Sequence, residues 1–234
     1  MSEAAPRARA REVQSGAARA AVLGISDGLV TNVALILGVA GAQGDAHFVL
    51  LAGMASLVAG ACSMAVGEYV SMSAQVELLQ RLLSDYRQAL GKNPERVRED
   101  LEEFIHRSGV RQATAHNVSE QLFSVPDKAL AVYARSLGID PDELGSPWKA
   151  AFSSLVTFAV GALVPLLPWF FSGGTRAAIA SLALGCGAAL GVGGVLGYLG
   201  GRNPLWGAVR QLLALCAAAL ATWGAGRLFN VTVT

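Results

Sequence analysis

Five apolar stretches, each long enough to cross a bilayer, constrain this 234-residue chain more than any other feature. A transmembrane helix needs about 20 consecutive, mostly apolar residues. Hydrophobic residues make up 53% of the chain, which is more than is usual for a soluble domain. The stretches cover residues 18–41, 48–72, 150–171, 176–199 and 205–229. We therefore predict an all-α integral membrane protein with five transmembrane helices.

The region between the second and third stretches has a different composition. Charged residues return there, and turn-forming sequences appear at GKNP, RSGV, SVPD and GIDPDELGSP. Pro94, Pro126 and Pro141 suit the first turns of short helices. We expect residues 73–90 to continue the second span, and short helices near 95–107, 112–123 and 127–137. The predicted domains are a cytosolic tail at 1–17, spans one and two at 18–72, a cytoplasmic three-helix insertion at 73–149, and spans three to five at 150–234.

The distribution of Lys and Arg predicts the orientation in the membrane. Ten of the 18 basic residues lie between residues 73 and 149, and four more, at 7, 9, 11 and 19, precede or begin the first span. The positive-inside rule then places the N-terminus in the cytosol and the C-terminus outside. The net charge is only +1, so nucleic acid is not an expected partner. Arg outnumbers Lys 15 to 3 and no organelle signal is recognisable, which favours a bacterial plasma or inner membrane over a vacuole.

Two acids interrupt the first two spans. An ionised side chain near the bilayer centre costs about 3 kcal/mol on insertion scales, so Asp27 and Glu68 require an explanation, and function is the default one. Alternatively, Asp27 caps a helix that begins at Gly28, but about 13 apolar residues would then remain, too few for a span. Glu68 lies nearer the cytoplasmic end of its span, where a carboxylate can also reach interfacial water.

Methionines flank the second of these acids at helical spacing. Met64, Glu68 and Met72 follow one another at i, i+4 and share one face of a helix. A carboxylate between thioethers suits Fe²⁺, Mn²⁺ or Co²⁺ better than Mg²⁺ or Ca²⁺, although methionines alone are usually packing residues. We predict a transport pathway formed by Asp27, Asn32, Met64, Glu68 and Met72.

The insertion carries a cluster of carboxylates that could capture a metal ion. His106 and His116 are near in sequence, and antiparallel packing of the helices could bring the groups together. The alternative is a solvated helix face, because Arg98–Glu102 and Glu103–Arg107 have the i, i+4 spacing of ion pairs. The predicted metal ligands are Glu99, Glu102, Glu103 and, on the next helix, Glu120.

Glycine and proline predict how the spans pack. Gly24 and Gly28 are four residues apart, a spacing that lets helices approach closely. Pro165 and Pro168 must bend or open the third span, which leaves backbone carbonyls to be satisfied by neighbouring groups or water.

Several segments resemble the vacuolar iron transporter family. GISDGLVTNVALILGVAGA and LAGMASLVAGACSMAVGEYVSMSAQVE are similar to its first two spans. The similarity continues through SPWKAAFSSLVTFAVGALVPLLPWFF and GAVRQLLALCAAALATWGAGRLF, so it covers nearly the whole chain.

This resemblance implies a homodimer of five-span protomers that exports Fe²⁺ or Mn²⁺ from the cytosol in exchange for protons, with Co²⁺ and Zn²⁺ as further candidates. It implies that Asp27, Met64 and Glu68 line the ion path between the first two helices. It also implies that the four glutamates of the insertion bind metal, although Ser136 stands where the family often has an acid.

A non-transporting membrane scaffold is the alternative function. In that case the insertion would sense metal or bind a cytosolic partner, and the spans would only anchor it. An enzyme is not expected, because the chain has no GxSxG, HExxH or P-loop sequence. No permanently bound cofactor is expected either.

Overall fold

The computed structural model describes residues 16–41, 45–136 and 145–228, and these residues are almost entirely helical, without a strand among them. Five of the helices are long and apolar enough to cross a membrane, so the predicted fold class is confirmed. Most of the predicted N-terminal tail and Pro141 lie outside the described residues. The helices are α1 (Gly16–Gly41), α2 (Ala46–Lys92), α3 (Pro94–Arg107), α4 (Gln112–Phe123), α5 (Pro126–Ser136), α6 (Pro147–Leu166), α7 (Gly174–Leu199) and α8 (Pro204–Leu228).

The described residues divide into two compact units. The span unit comprises those up to Val70 and from Ser146 onward, and the insertion unit comprises those within Ser71–Gly145. The boundary lies within α2, which continues without a break for 47 residues. As expected from the sequence, α2 therefore extends well past the length needed to cross a bilayer.

Within the span unit, α1 and α6 run in the same direction in close contact. Near their first turns, the Ser153 hydroxyl donates to the carbonyl of Ala17 at 3.0 Å. Further along, glycine permits backbone contact: a Cβ on Gly28 would overlap the carbonyl of Phe158, and one on Gly24 would lie 2.8 Å from the carbonyl oxygen of Ser154. Because these two glycines have no side chain, the backbone of α6 can lie directly against that of α1.

The C-terminal end of α6 changes conformation at its prolines. The α-helix ends at Leu166, and Leu167–Phe170 form a 3-10 turn. The Ser181 hydroxyl of α7 donates to the carbonyl of Pro165 at 2.6 Å and accepts from the Trp169 indole nitrogen at 2.8 Å. The prolines end the α-helix, and a hydroxyl of the neighbouring helix α7 provides a hydrogen bond to one of the carbonyls at that end.

The last two spans form an antiparallel hairpin. Gly193 of α7 and Gly207 of α8 face each other so closely that a Cβ on either would overlap the other's carbonyl. Between them, Gly201 has φ +66, a conformation that favours glycine. The Asn203 side chain then accepts a hydrogen bond from the Leu205 amide at 2.9 Å, at the start of α8.

In the insertion unit, the distal part of α2 packs with the short helices that follow it. Tyr86 of α2, Val97 of α3 and Leu130 of α5 form a buried apolar cluster. Pro94 and Pro126 are the first residues of α3 and α5, where a proline loses no helical hydrogen bond. All three short helices begin within one residue of the positions expected from the sequence.

Candidate functional site

Glu68 is the most deeply buried acid of the span unit. It lies on α2, and its side chain is 9% exposed. Its Oε2 atom accepts a hydrogen bond from Nη2 of Arg19, in the first turn of α1, at 3.3 Å. Among the described residues, no other side chain pairs with this carboxylate. The first two spans therefore meet at an ion pair with one buried and one exposed member.

Asp27 lies farther along α1 than this ion pair. Eight residues separate it from Arg19, which corresponds to about 12 Å of helix. Asp27 is half-buried, and its Oδ1 accepts from the Thr31 hydroxyl at 3.1 Å. No cation pairs with it among the described residues. Within one chain, Asp27 and Glu68 are two separate positions along the spans rather than two ligands of one site.

Asn32, five residues past Asp27 on α1, is fully buried. Its Nδ2 donates to the carbonyl of Ala162 on α6 at 2.8 Å and, more weakly, to that of Gly53 on α2 at 3.4 Å. Its Oδ1 is buried with no partner among the described residues. One amide thus links three spans and leaves an acceptor oxygen available for a water or an ion.

The two predicted thioethers lie on either side of Glu68 along α2. Met64 is half-buried and packs against the apolar cluster of Ala61, Phe158 and Ala162. Met72 is buried and lies just past the boundary at Val70, in the insertion unit. The helix keeps Met64 and Glu68 one turn apart on one face, as their spacing predicts.

In the insertion unit, Glu102 has three side-chain partners. Its carboxylate pairs with the His116 Nδ1 at 3.0 Å and with the Arg98 guanidinium at 3.5 Å, and it accepts from the Gln112 side chain at 2.9 Å. The hydrogen bond from His116 is the main cause of a lowered pKa for Glu102, with smaller contributions from Gln112 and Arg98, against the opposing effect of burial. The side chain itself is 14% exposed.

The other predicted ligands of the insertion are not gathered around Glu102. Glu103 forms an ion pair with Arg107, and Glu99 and Glu120 are exposed. No group of three or more His, Cys, Asp or Glu side chains suited to a metal ion occurs among the described residues. Both i, i+4 ion pairs expected for a solvated face are present, at Arg98–Glu102 and Glu103–Arg107.

Two partners were not identified from the sequence. Arg19 was considered only as part of the charge bias, and its partner Glu68 is 49 residues away. Gln112 carries no charge and gave no signal at all. The one available clue was the position of Arg19 at the start of an apolar helix, where a guanidinium can reach the end of a neighbouring span.

Comparison with known proteins identifies the family. The model of the VIT family matches residues 18–227. The chain belongs to this family. A relative in Oryza sativa subsp. japonica, vacuolar iron transporter homolog 2, is 36% identical over 219 residues, which cover 90% of this chain and 89% of the relative. Vacuolar iron transporter 1 of Eucalyptus grandis is 29% identical over 205 residues, 87% of this chain and 82% of the relative. The vacuolar iron transporter of Acanthamoeba castellanii is 33% identical over 218 residues, 91% of this chain and 78% of the relative.

Membership of the VIT family confirms the resemblance predicted from the sequence. The matched range covers all five candidate spans almost completely, and the described residues form a multi-pass helical membrane protein. Every candidate residue of the pathway and of the insertion lies inside the match, and so does Arg19. The relatives are named as transporters rather than as enzymes.

Proposed function

We propose that this VIT family protein exports a divalent transition metal, Fe²⁺ or Mn²⁺, from the cytosol in exchange for protons. The observation that carries the proposal is the buried carboxylate of Glu68 in a candidate span, paired with a single exposed cation. Burial of an acid in an apolar span is costly and is a mark of an ion pathway. The relatives named as vacuolar iron transporters support metal as the cargo.

The proposed pathway follows the facing sides of α1 and α2. Glu68 and Met64 offer a hard oxygen and a soft sulfur one turn apart, a combination that suits a borderline dication. Asp27 offers the next carboxylate, and Asn32, with its unpaired Oδ1, follows five residues later on α1. We assign no role in the pathway to Met72 beyond its position next to Glu68, where the insertion unit begins.

Proton exchange has a simple physical basis at such carboxylates. A proton and a metal ion compete for the same oxygen atoms, and a bound dication favours the ionised form. An ion that leaves Asp27 or Glu68 on the side richer in protons is therefore replaced by a proton. Ligands of modest affinity are required, because each ion must leave as readily as it binds.

The insertion would raise the metal concentration near the pathway. Glu99, Glu103 and Glu120 are exposed carboxylates, and Glu102 would have to exchange its present partners for a metal ion. We expect replacement of these four residues by Gln to reduce uptake at low metal concentration while leaving uptake at saturating concentration nearly unchanged. Equal loss at both concentrations would contradict a capturing role.

We further propose that two copies form the transporter. Within a single chain, only 17% of the most apolar segment of α2 is buried. Exposed apolar residues on this span, among them Leu51, Val58 and Val66, must face lipid or a second copy. The N-terminus would lie in the cytosol and the C-terminus outside, in a plasma or inner membrane.

Metal uptake into proteoliposomes under an imposed pH gradient tests the proposal. Flux of Fe²⁺ or Mn²⁺ should depend on the gradient and be lost in Asp27→Asn and in Glu68→Gln. Asp45→Asn is the matched control, because Asp45 is an exposed acid just before α2. A folded wild-type protein without flux of either ion would favour the non-transporting scaffold.

A further inference from the structure

Arg19 and Glu68 differ sharply in their freedom to move. The Arg19 side chain is 60% exposed, whereas that of Glu68 is 9% exposed. A single contact of 3.3 Å joins Nη2 to Oε2, and no second guanidinium–carboxylate hydrogen bond accompanies it. Paired, parallel hydrogen bonds are the strong form of this interaction. The guanidinium can therefore leave for solvent, while the carboxylate stays in place.

Glu68 needs a positive partner whenever its carboxylate is ionised. An uncompensated buried charge costs several kcal/mol, and Arg19 is the one cation paired with Glu68 among the described residues. When a metal ion is bound, however, Arg19 would place a third positive charge beside the same oxygen atoms. The two cations repel each other at this carboxylate, so the presence of one weakens the binding of the other.

We infer that Arg19 is the resident counter-ion of Glu68 and competes with the transported metal for it. An arriving dication takes the carboxylate oxygen and the guanidinium moves into solvent. When the ion has left and the carboxyl group has lost the proton that replaced the ion, Arg19 returns. Arg19 is a positioning residue and not a ligand, because a guanidinium has no lone pair to offer a metal. The inference rests on the proposed function, in which Glu68 binds the cargo.

The same competition favours dications. A monovalent cation would replace one positive charge beside Glu68 by another, with little electrostatic gain. A dication brings twice the charge to the same oxygen atom, so its attraction to the carboxylate exceeds that of the guanidinium at equal distance. Abundant monovalent ions would therefore not displace Arg19 from the carboxylate, whereas the transported dication would.

Mn²⁺ binding to the full-length protein in lipid nanodiscs tests the inference. Calorimetry at low ionic strength and mildly alkaline pH should give an affinity about two- to fivefold tighter for Arg19→Gln than for the wild type, the range expected for loss of one exposed competing charge. Arg19→Lys keeps the charge and should restore an affinity close to that of the wild type. Arg210→Gln removes an exposed arginine of α8 and should change nothing.

Glu68→Gln provides the decisive background. In that variant, replacement of Arg19 should have no further effect on the remaining Mn²⁺ affinity, because the two cations no longer compete for a charge. The gain from Arg19→Gln should also shrink at high salt, where exposed charges are screened. A purely structural contact between α1 and α2 would produce neither result.

Two outcomes would overturn the inference in different ways. Equal or weaker Mn²⁺ affinity in Arg19→Gln, with a wild type that binds, rejects competition by Arg19 and leaves the proposed function intact. A wild type that binds neither Mn²⁺ nor Fe²⁺ under anaerobic conditions contradicts the proposed function itself. If Arg19→Gln does not fold, Arg19→Met retains an apolar stem, removes the same charge and gives the same test.

Discussion

Glu68 in the span unit and Glu102 in the insertion unit are both carboxylates with little exposure, and they are held in opposite ways. The Glu68 side chain is 9% exposed and has one partner, a guanidinium that is itself largely in solvent. The Glu102 side chain is 14% exposed and has three partners, Arg98 on α3 and two side chains, Gln112 and His116, on α4. Little reorganisation is needed to release Glu68, whereas release of Glu102 breaks a network.

The difference suggests what each unit is built to do. A buried acid with one replaceable partner can exchange that partner for an ion, and a transport pathway requires such exchange. An acid with three partners on two helices stabilises the packing of those helices. Burial alone is therefore a poor criterion for a metal ligand. A better criterion is how many partners a carboxylate already has and how easily those partners can leave.

The largest expected effect is on metal uptake, which should depend much more on Glu68 than on Glu102. We expect Glu68→Gln to reduce metal uptake more than about tenfold, as loss of a metal-coordinating charge does, and Glu102→Gln to reduce it less than about fivefold. Initial rates in proteoliposomes provide the measurement. Equal losses in the two variants would remove the functional contrast between the units.

The next effect concerns the rigid frame around the pathway. Gly28→Ala places a methyl group against the Phe158 carbonyl and should cost about 1–3 kcal/mol of stability, the usual range for overpacking. Gly187→Ala, which meets no atom within 4 Å, is the control and should be neutral. Thermal unfolding in detergent measures both, and a stable Gly28→Ala protein would show that α1 and α6 can separate.

A smaller effect is expected at Asn32. Asn32→Leu removes the hydrogen bonds to Ala162 and Gly53, and hydrogen bonds between membrane helices contribute about 1 kcal/mol each or less. The melting temperature should therefore fall modestly. If stability is unchanged but uptake is lost, the role of Asn32 lies in the pathway and not in holding the spans together.

The smallest effect is the pH dependence of the Glu102 network. The pKa of Glu102 is lowered in the folded protein, so its contribution to stability is present above the unfolded-state value of about 4.3. It is lost as the pH falls through the lower folded-state pKa. Amide hydrogen exchange of α3 and α4 should accordingly be faster in Glu102→Gln than in the wild type at neutral pH. The two should converge in acid, and a difference that persists there would have another origin.

Much of the architecture could be predicted because it depends on local sequence. Five apolar stretches identify the spans, and prolines identify the first turns of two short helices at Pro94 and Pro126. The spacing of Gly24 and Gly28 indicated a close helix contact, and the structure places α6 there. Each of these signals is contained within a single turn or a single helix, so no knowledge of the tertiary fold was needed.

The partners of the candidate residues could not be predicted in the same way. The Arg19–Glu68 pair joins residues 49 positions apart, and the Asn32–Ala162 bond joins residues 130 positions apart. Such pairs depend on which spans become neighbours and at what height they cross. The sequence also suggested two uses for the glutamates of the insertion. The i, i+4 ion pairs lie within one helix and form as that spacing indicates, whereas the contact of Glu102 with Gln112 joins two helices and depends on the tertiary fold.

The hydrogen-bonded turn at the end of α6 gives this protein an optical reporter. Of the four tryptophans, Trp169 is buried at 5% exposure, whereas Trp148, Trp206 and Trp223 are 73%, 58% and 43% exposed. Its fluorescence should therefore be the component at shortest wavelength and the least accessible to aqueous quenchers. Because the Trp169 indole is bonded to Ser181, any opening between α6 and α7 during a transport cycle would shift that emission to the red without an added label.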